Sequence, residues 1–346
     1  MTTWKRILTL MLAVLMTLSV LAACGGSNAE TAQTPAETNP VTEPTQPGEE
    51  GKTLKILTLG HSLAVDCGHM LNRVAAAEGY DSLKIATLYY SGCPLASHVQ
   101  YLTNNSPEYS LYVSESKTPD LVPEIFKSVT MEYALRYDYW DIVIMQGGVF
   151  EIAASKKYTD GNIKTIQKYV LENCLNPNVK FAWHMTWVPP TDNSLRDQYP
   201  YPENNTYYSG YIPYSDDRST MYQCVVDCVQ KHIVTDETFQ FVIPTATAME
   251  NALSSYLEET DIHRDYVHAS DLTRVMNSYV WYCKLLGIEK VEEIKMDTIP
   301  VAFFKSTKGV EDRVLTDAEK AIILEAINNA LKNPYEMTPS QYTTAP

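Results

Sequence analysis

Short, nearly unbroken apolar runs recur along the chain, separated by longer stretches with apolar residues at helical spacing. Residues 54–59 form the first run, which stops at Gly60 in the manner of a buried strand. Residues 83–88, 140–146, 179–188 and 239–243 repeat the pattern, each closed by glycine, proline or a polar turn. Between and after them, helical periodicity predicts helices over 65–78, 163–174, 221–234 and 271–286. Near the end Thr316-Asp317-Ala318-Glu319 forms a capping box ahead of Ile322, Ile323, Ala326 and Ile327. Apolar strands alternating with helices imply an α/β protein with a mostly parallel sheet covered on both faces. Residues 53–333 read as one such domain, and 334–346 as a polar tail.

The first 52 residues follow neither rhythm. Lys5 and Arg6 precede an apolar run from residue 7 to 23, too short for a comfortable span, which ends Leu21-Ala22-Ala23-Cys24-Gly25. That pattern resembles a bacterial lipobox, so residues 1–23 are expected to be a lipoprotein signal peptide and Cys24 the lipidated residue. Residues 25–52 carry Pro35, Pro40, Pro44 and Pro47 with Thr and Glu and no aromatic residue. They cannot bury enough apolar surface to order themselves, and read as a tether reaching roughly 30 Å. The expected location is outside the cytoplasm, anchored by lipid to the bacterial cell membrane.

Composition narrows the function by exclusion. The 346 residues include 27 Lys and Arg against 42 Asp and Glu, a formal charge of −15. Loss of Lys5 and Arg6 would leave 25 bases against 42 acids, or −17. A cation deficit of this size argues against nucleic acid as a partner, and otherwise speaks of solubility. Seven cysteines are too few for a disulfide scaffold. With Cys24 lipidated, six could form up to three disulfides.

In an open α/β sheet the chemistry lies at the carboxyl ends of the strands. After the first strand come Gly60-His61-Ser62-Leu63; after the second, Gly92 and Cys93; after the third, Gln146, Gly147 and Gly148; after the fourth, Thr186 and Trp187. Asp265-Tyr266-Val267-His268 precedes the last helix of the sheet. A serine, a histidine and a neighbouring aspartate are the parts of an activated nucleophile, and backbone N–H groups with a side-chain amide can hold an oxyanion. The α/β-hydrolase order does not fit, because its serine follows a later strand and its acid lies far upstream of the histidine.

These blocks resemble those of the SGNH (GDSL) hydrolases. Gly60-His61-Ser62-Leu63 is similar to that family's first block with His61 in the aspartate place, Gly92 to its second-block glycine, and Asp265-x-x-His268 to its last block. A branch of domain-of-unknown-function proteins is closer still, matching Asp66, Trp140-Asp141 with Gln146, Asn105-Ser106-Pro107 and Met185-Thr186-Trp187. The resemblance implies a flavodoxin-like three-layer sandwich around a five-stranded sheet. It also implies Ser62 as nucleophile, His268 as base, Asp265 as its orienter, and Ser62, Gly92 and Gln146 around the oxyanion, with no metal or organic cofactor. The family's third-block asparagine is missing, and Gln146 stands in its place.

Blander readings exist for each residue. Ser62 could be a helix cap, His268 a cap or core residue, and Asp261 with His263 a rival acid–base pair. Six tyrosines between 199 and 214, including Tyr207 and Tyr208, would suit a sugar ring together with Trp187, or pack on themselves. The expected function is a surface-anchored serine esterase acting on carboxylic esters such as O-acetyl groups on glycans. The alternatives are a carbohydrate- or solute-binding lipoprotein and a hydrolase-like fold without catalysis.

Overall fold

The computed structural model describes residues 53–115, 124–149, 151–191, 217–299 and 312–346. The chain divides into two units, Met1–Thr42 and Glu43–Pro346, and every described residue belongs to the second. The expected signal peptide, Cys24 and the tether to Lys52 therefore lie outside the described residues, as do Tyr207 and Tyr208.

Strand β1 (Leu54–Gly60) leads to helix α1 (Ser62–Ala77), then β2 (Leu83–Tyr89), α2 (Leu95–Asn104), β3 (Tyr109–Glu115) and β4 (Glu124–Val129). There follow α3 (Met131–Tyr137), β5 (Ile142–Met145), α4 (Ser155–Thr159), α5 (Asn162–Asn173), β6 (Lys180–His184), α6 (Arg218–Val229) with a π turn to Val234, and β7 (Phe239–Ile243). The chain continues through α7 (Thr245–Leu253), α8 (Glu259–Ile262), α9 (Asp271–Leu286), the short strands β8 (Thr298–Ile299) and β9 (Arg313–Val314), and α10 (Asp317–Lys332).

The main sheet has seven strands in the order β4-β3-β2-β1-β5-β6-β7. Strands β2, β1, β5, β6 and β7 are parallel, and these are the five expected from the apolar runs. The expectation of five strands is corrected by β3 and β4, which extend the β2 edge antiparallel. They escaped notice because β3 buries only alternate residues, Tyr109, Leu111 and Val113, while β4 is largely exposed. A continuous apolar run marks a strand buried on both faces and misses edge strands of this kind.

Period-two alternation divides the core between two faces. Ile56, Ile85, Ile144 and Ile243 point to one layer with side chains of α1, α7, α9 and α10. Leu57, Leu59, Leu88, Val143 and Met145 point to the other, with α2, α3, α5 and α6. The result is the expected three-layer arrangement. Helix α9 has the bounds its periodicity predicted; Ser270 caps its start through Thr273 N–H, and Gly287 in a left-handed conformation ends it. The fourth apolar run is shorter as a strand than predicted. After His184 the chain leaves the sheet but stays buried through Val188. The polar tail packs back: Tyr256 N–H donates to Tyr342 O at 2.9 Å, and Thr338 N–H to Asn251 Oδ1 at 2.8 Å. All six described cysteines are free thiols.

Candidate active site

Register decides what meets at the carboxyl edge. Gly60 pairs with Tyr89, Leu59 with Met145, Met145 with Trp183, and His184 with Ile243. Gly60, Gln146, His184 and the start of α7 therefore stand in one row across four adjacent parallel strands.

Ser62 is the first residue of α1, and the cap is the residue before it. His61 is fully buried; its Nδ1 accepts from Leu63 N–H at 3.4 Å, and its Nε2–H donates to Gly147 O at 3.0 Å. Acceptance at Nδ1 requires the neutral ring. Burial, with a smaller contribution from the charge of His268, outweighs the bond to Gly147 and lowers its pKa to about 4. The buried imidazole thus holds α1 to the loop after β5. Ser62 is freed from capping and is partly exposed.

The last block comes to the same helix from 200 residues away. His268 Nδ1–H donates to both Asp265 oxygens at 2.9 and 2.8 Å, and Nε2 has no hydrogen bond among the described residues. Asp265 Oδ1 also accepts the N–H groups of Val267 at 3.0 Å and His268 at 2.8 Å, so one carboxylate shapes the turn and sets the tautomer. Burial raises its pKa, but the bonds from His268 and Val267 outweigh that and hold it below the usual carboxylate range.

Asp66, one helical turn beyond Ser62, fastens this turn to α1. It is 1% exposed and accepts from Arg264 Nη1–H at 2.9 Å and from Ala269 N–H at 3.1 Å. Arg264 also donates to Ala269 O at 2.6 Å, and Arg274 Nε lies 3.6 Å from Asp66. Burial raises the pKa of Asp66, outweighing the charges of Arg264, Arg274 and His268, which lower it. The sequence carried a signal for this anchor in Asp66 itself, the one acid on the helix between Leu63 and Leu71.

Two further loops complete the edge. Gly92 is exposed in a turn at φ +61°, a conformation that favours glycine. Gly148 and the second-block loop are joined by Glu151, a buried acid absent from the sequence reading. Its Oε2 accepts from Leu95 N–H at 2.8 Å and Gly148 N–H at 3.0 Å. Gln146 is 2% exposed, with Oε1 2.8 Å from His184 Nδ1 and Nε2 buried without a hydrogen-bond partner. A Cβ on Gly60 would stand 3.0 Å from that Nε2 and 2.8 Å from the Ala64 methyl, so the strand end must be glycine.

Two sequence assignments change. Trp187 is not a platform for a sugar: it is fully buried, and its indole N–H donates to Val267 O at 2.8 Å, bracing the His268 turn. Asp261 and His263 do not form an acid–base pair. Asp261 caps α8 by accepting Glu258 N–H at 2.9 Å, and His263 is 1% exposed with its pKa pushed well down by burial. The residues flanking 192–216 share one clamp, since Thr191 N–H and Arg218 Nη1–H both donate to Glu259, at 2.8 and 3.2 Å.

Residues 55–302 match the family described as a domain of unknown function, DUF4886, and the chain belongs to that family. A DUF4886 family protein from Bacteroides uniformis ATCC 8492 is similar in structure, with 23% identity and a TM-score of 0.66, over 85% of this chain and 100% of the other; the likeness establishes the shared fold. A proposed SGNH hydrolase from Slackia heliotrinireducens (16% identity, 67% and 98% of the two chains) and a family 3 carbohydrate esterase from Clostridium thermocellum (12%, 68% and 99%) match more distantly, each at a TM-score of 0.39. No curated protein matches the sequence.

Proposed function

We propose that this DUF4886 chain is a serine esterase. The observation that carries the reading is the last-block turn: His268 bonded through Nδ1 to Asp265, and tied by Asp66 to the helix that Ser62 begins. Ser62 Oγ attacks the acyl carbon while His268 Nε2 takes its proton. The N–H groups of Ser62 and Gly92 with the Gln146 amide receive the negative oxygen. His268 returns the proton to the departing alcohol, and water releases the acyl group by the same steps. Asp265 holds the tautomer and offsets the imidazolium charge.

The substrate class we propose is an O-acetyl ester on a saccharide, supported by the tyrosine-rich run between 199 and 214. The lipobox-like sequence supports anchoring through Cys24, outside the cytoplasm. Fluorophosphonate labelling together with hydrolysis of p-nitrophenyl acetate tests the reading. A Ser62-dependent adduct, and turnover lost in Ser62→Ala, are expected. An unlabelled Ser62 with no turnover would leave a binding lipoprotein or a fold without catalysis. Detergent phase partitioning tests the anchor, with Cys24→Ala expected to move the protein to the aqueous phase.

A further inference from the structure

Helix α2 is capped from another loop. Pro94 stands at its N-cap and makes no side-chain bond there, so the first N–H groups of the helix need other acceptors. Ser97 and His98 N–H donate to Pro94 O at 3.0 and 3.3 Å. Leu95 N–H instead donates to Glu151 Oε2 at 2.8 Å, across 56 residues. The same oxygen accepts Gly148 N–H at 3.0 Å, so one atom joins the start of α2 to the loop after β5.

Gly92 lies inside the ring of contacts that this closes. Its turn begins where Tyr90 N–H donates to Gly60 O at 3.3 Å, and closes where Cys93 N–H donates to Tyr90 O at 3.3 Å. Pro94 and Leu95 follow directly. The two loops pack backbone to backbone: a Cβ on Gly148 would stand 2.8 Å from Pro94 Cα and 3.3 Å from Cys93 O. Gly147 O accepts from His61, the cap of the helix that Ser62 begins. Gly92 is therefore tied to Ser62 on one side through Gly60, and on the other through Leu95, Glu151, Gly148 and His61. It is exposed and has no side chain to pack, so these ties set the direction of its N–H.

Glu151 is 2% exposed, and its Oε1 makes no hydrogen bond among the described residues, with Lys157 Nζ 3.8 Å away. Burial raises the pKa of the carboxyl, outweighing the two N–H bonds and Lys157. What the site uses is the acceptor Oε2, not a favoured charge.

We infer that Glu151 is a positioning residue: by locking the Gly92 turn to the loop after β5, it fixes the Gly92 N–H relative to Ser62. The kinetic consequence rests on the esterase reading; the locking of the turn does not.

Backbone relaxation of the 15N-labelled protein reads the lock directly. The Gly92 order parameter is expected at about 0.85 in the unaltered protein and below about 0.6 in Glu151→Ala, with the strands unchanged. Glu151→Gln keeps an acceptor oxygen and should keep Gly92 rigid. A mobile Gly92 in the unaltered protein, or a rigid one in Glu151→Ala, overturns the inference. In the ester assay Glu151→Ala should lower kcat about 100-fold, the scale of one lost oxyanion donor, with KM within about twofold. Glu151→Gln should keep kcat within about threefold of the unaltered value. Gly148→Ala, which pushes the loops apart with Glu151 in place, should lower kcat as far, and it carries the test where Glu151→Ala does not fold. An unchanged kcat in folded Glu151→Ala would overturn the positioning role. Equal losses in the Ala and Gln variants would make charge the cause and overturn it too. Absence of turnover in the unaltered protein would defeat the esterase reading and leave the relaxation result to decide the lock.

Discussion

At the carboxyl edge of the sheet His61, Gln146, His184 and Thr245 are at most 2% exposed, and each bond among them restricts a direction or a tautomer. At the amino edge of the same sheet Asp138 joins Lys55 at 2.7 Å and Lys84 at 2.8 Å, with the three side chains 12–25% exposed. Beside them opens a groove of about 790 Å³ lined by Leu54, Tyr80, Asp141, Lys180 and Phe241. This groove lies at the opposite end of the strands from the candidate chemistry. Void volume measures where side chains leave room. Buried, directed polar groups show where the fold has spent stability on geometry, since each is costly to leave unpaired.

The sharpest test of that contrast is the coupled pair at the carboxyl edge. His268→Ala should lower kcat/KM for p-nitrophenyl acetate about 10⁴-fold, and adding Ser62→Ala should cost little more, because residues acting as a unit are not additive. Additive losses would place the two in separate roles. Asp66→Asn comes next. It leaves Arg264 and Arg274 without their buried counter-charge, so urea unfolding should show a loss of about 3 kcal/mol, with kcat falling as the His268 turn loosens. An unchanged midpoint would show that Asp66 is not the fastener.

Acid should act on the same edge. His61 is neutral when folded, with its pKa lowered to about 4 from an ordinary 6.5. The unfolded chain therefore binds the proton first. The stability from burying the neutral ring is complete above pH 6.5 and is lost as pH falls toward 4, reaching about 3 kcal/mol at the limit. Urea titrations at pH 7 and pH 4.5 should show this loss, and His61→Gln should flatten the slope. The smallest effects belong to the amino edge. Asp138→Ala should cost about 1 kcal/mol, as partly solvated ion pairs do, and leave kcat/KM unchanged. Tyr80→Ala, in the groove, should also leave the kinetics unchanged. A kinetic effect there would break the division between the two ends.

Local signals were legible wherever an element depends only on its own residues. Helix α9 begins at a serine cap and stops at Gly287, both sequence neighbours, and its predicted bounds are the observed ones. The capping box of Thr316 with Glu319 forms as read. Trp187 shows the limit: an indole suits a sugar face or a packed core equally well, and only its place beneath Val267 decides. His184 gave no motif to read, because Gln146 and Thr245 lie 38 and 61 residues away; Glu151 joins its near neighbour Gly148 to Leu95, 56 residues away, and only the second contact shows its role.

The sequence by itself determined the alternation of strand and helix, the five parallel strands, and the dyad of Asp265 and His268, whose three-residue spacing closes its own turn. Tertiary structure decided the two antiparallel edge strands, the burial of His61, and the meeting of the His268 turn with α1 through Asp66. It also decided the row from Gly60 to Thr245. The reason is range: caps, turns and periodicity are set by neighbours within a few residues, whereas burial and the partner of a buried polar atom are set by strand register. Register aligns segments far apart in the chain, and no local pattern encodes which of them will meet.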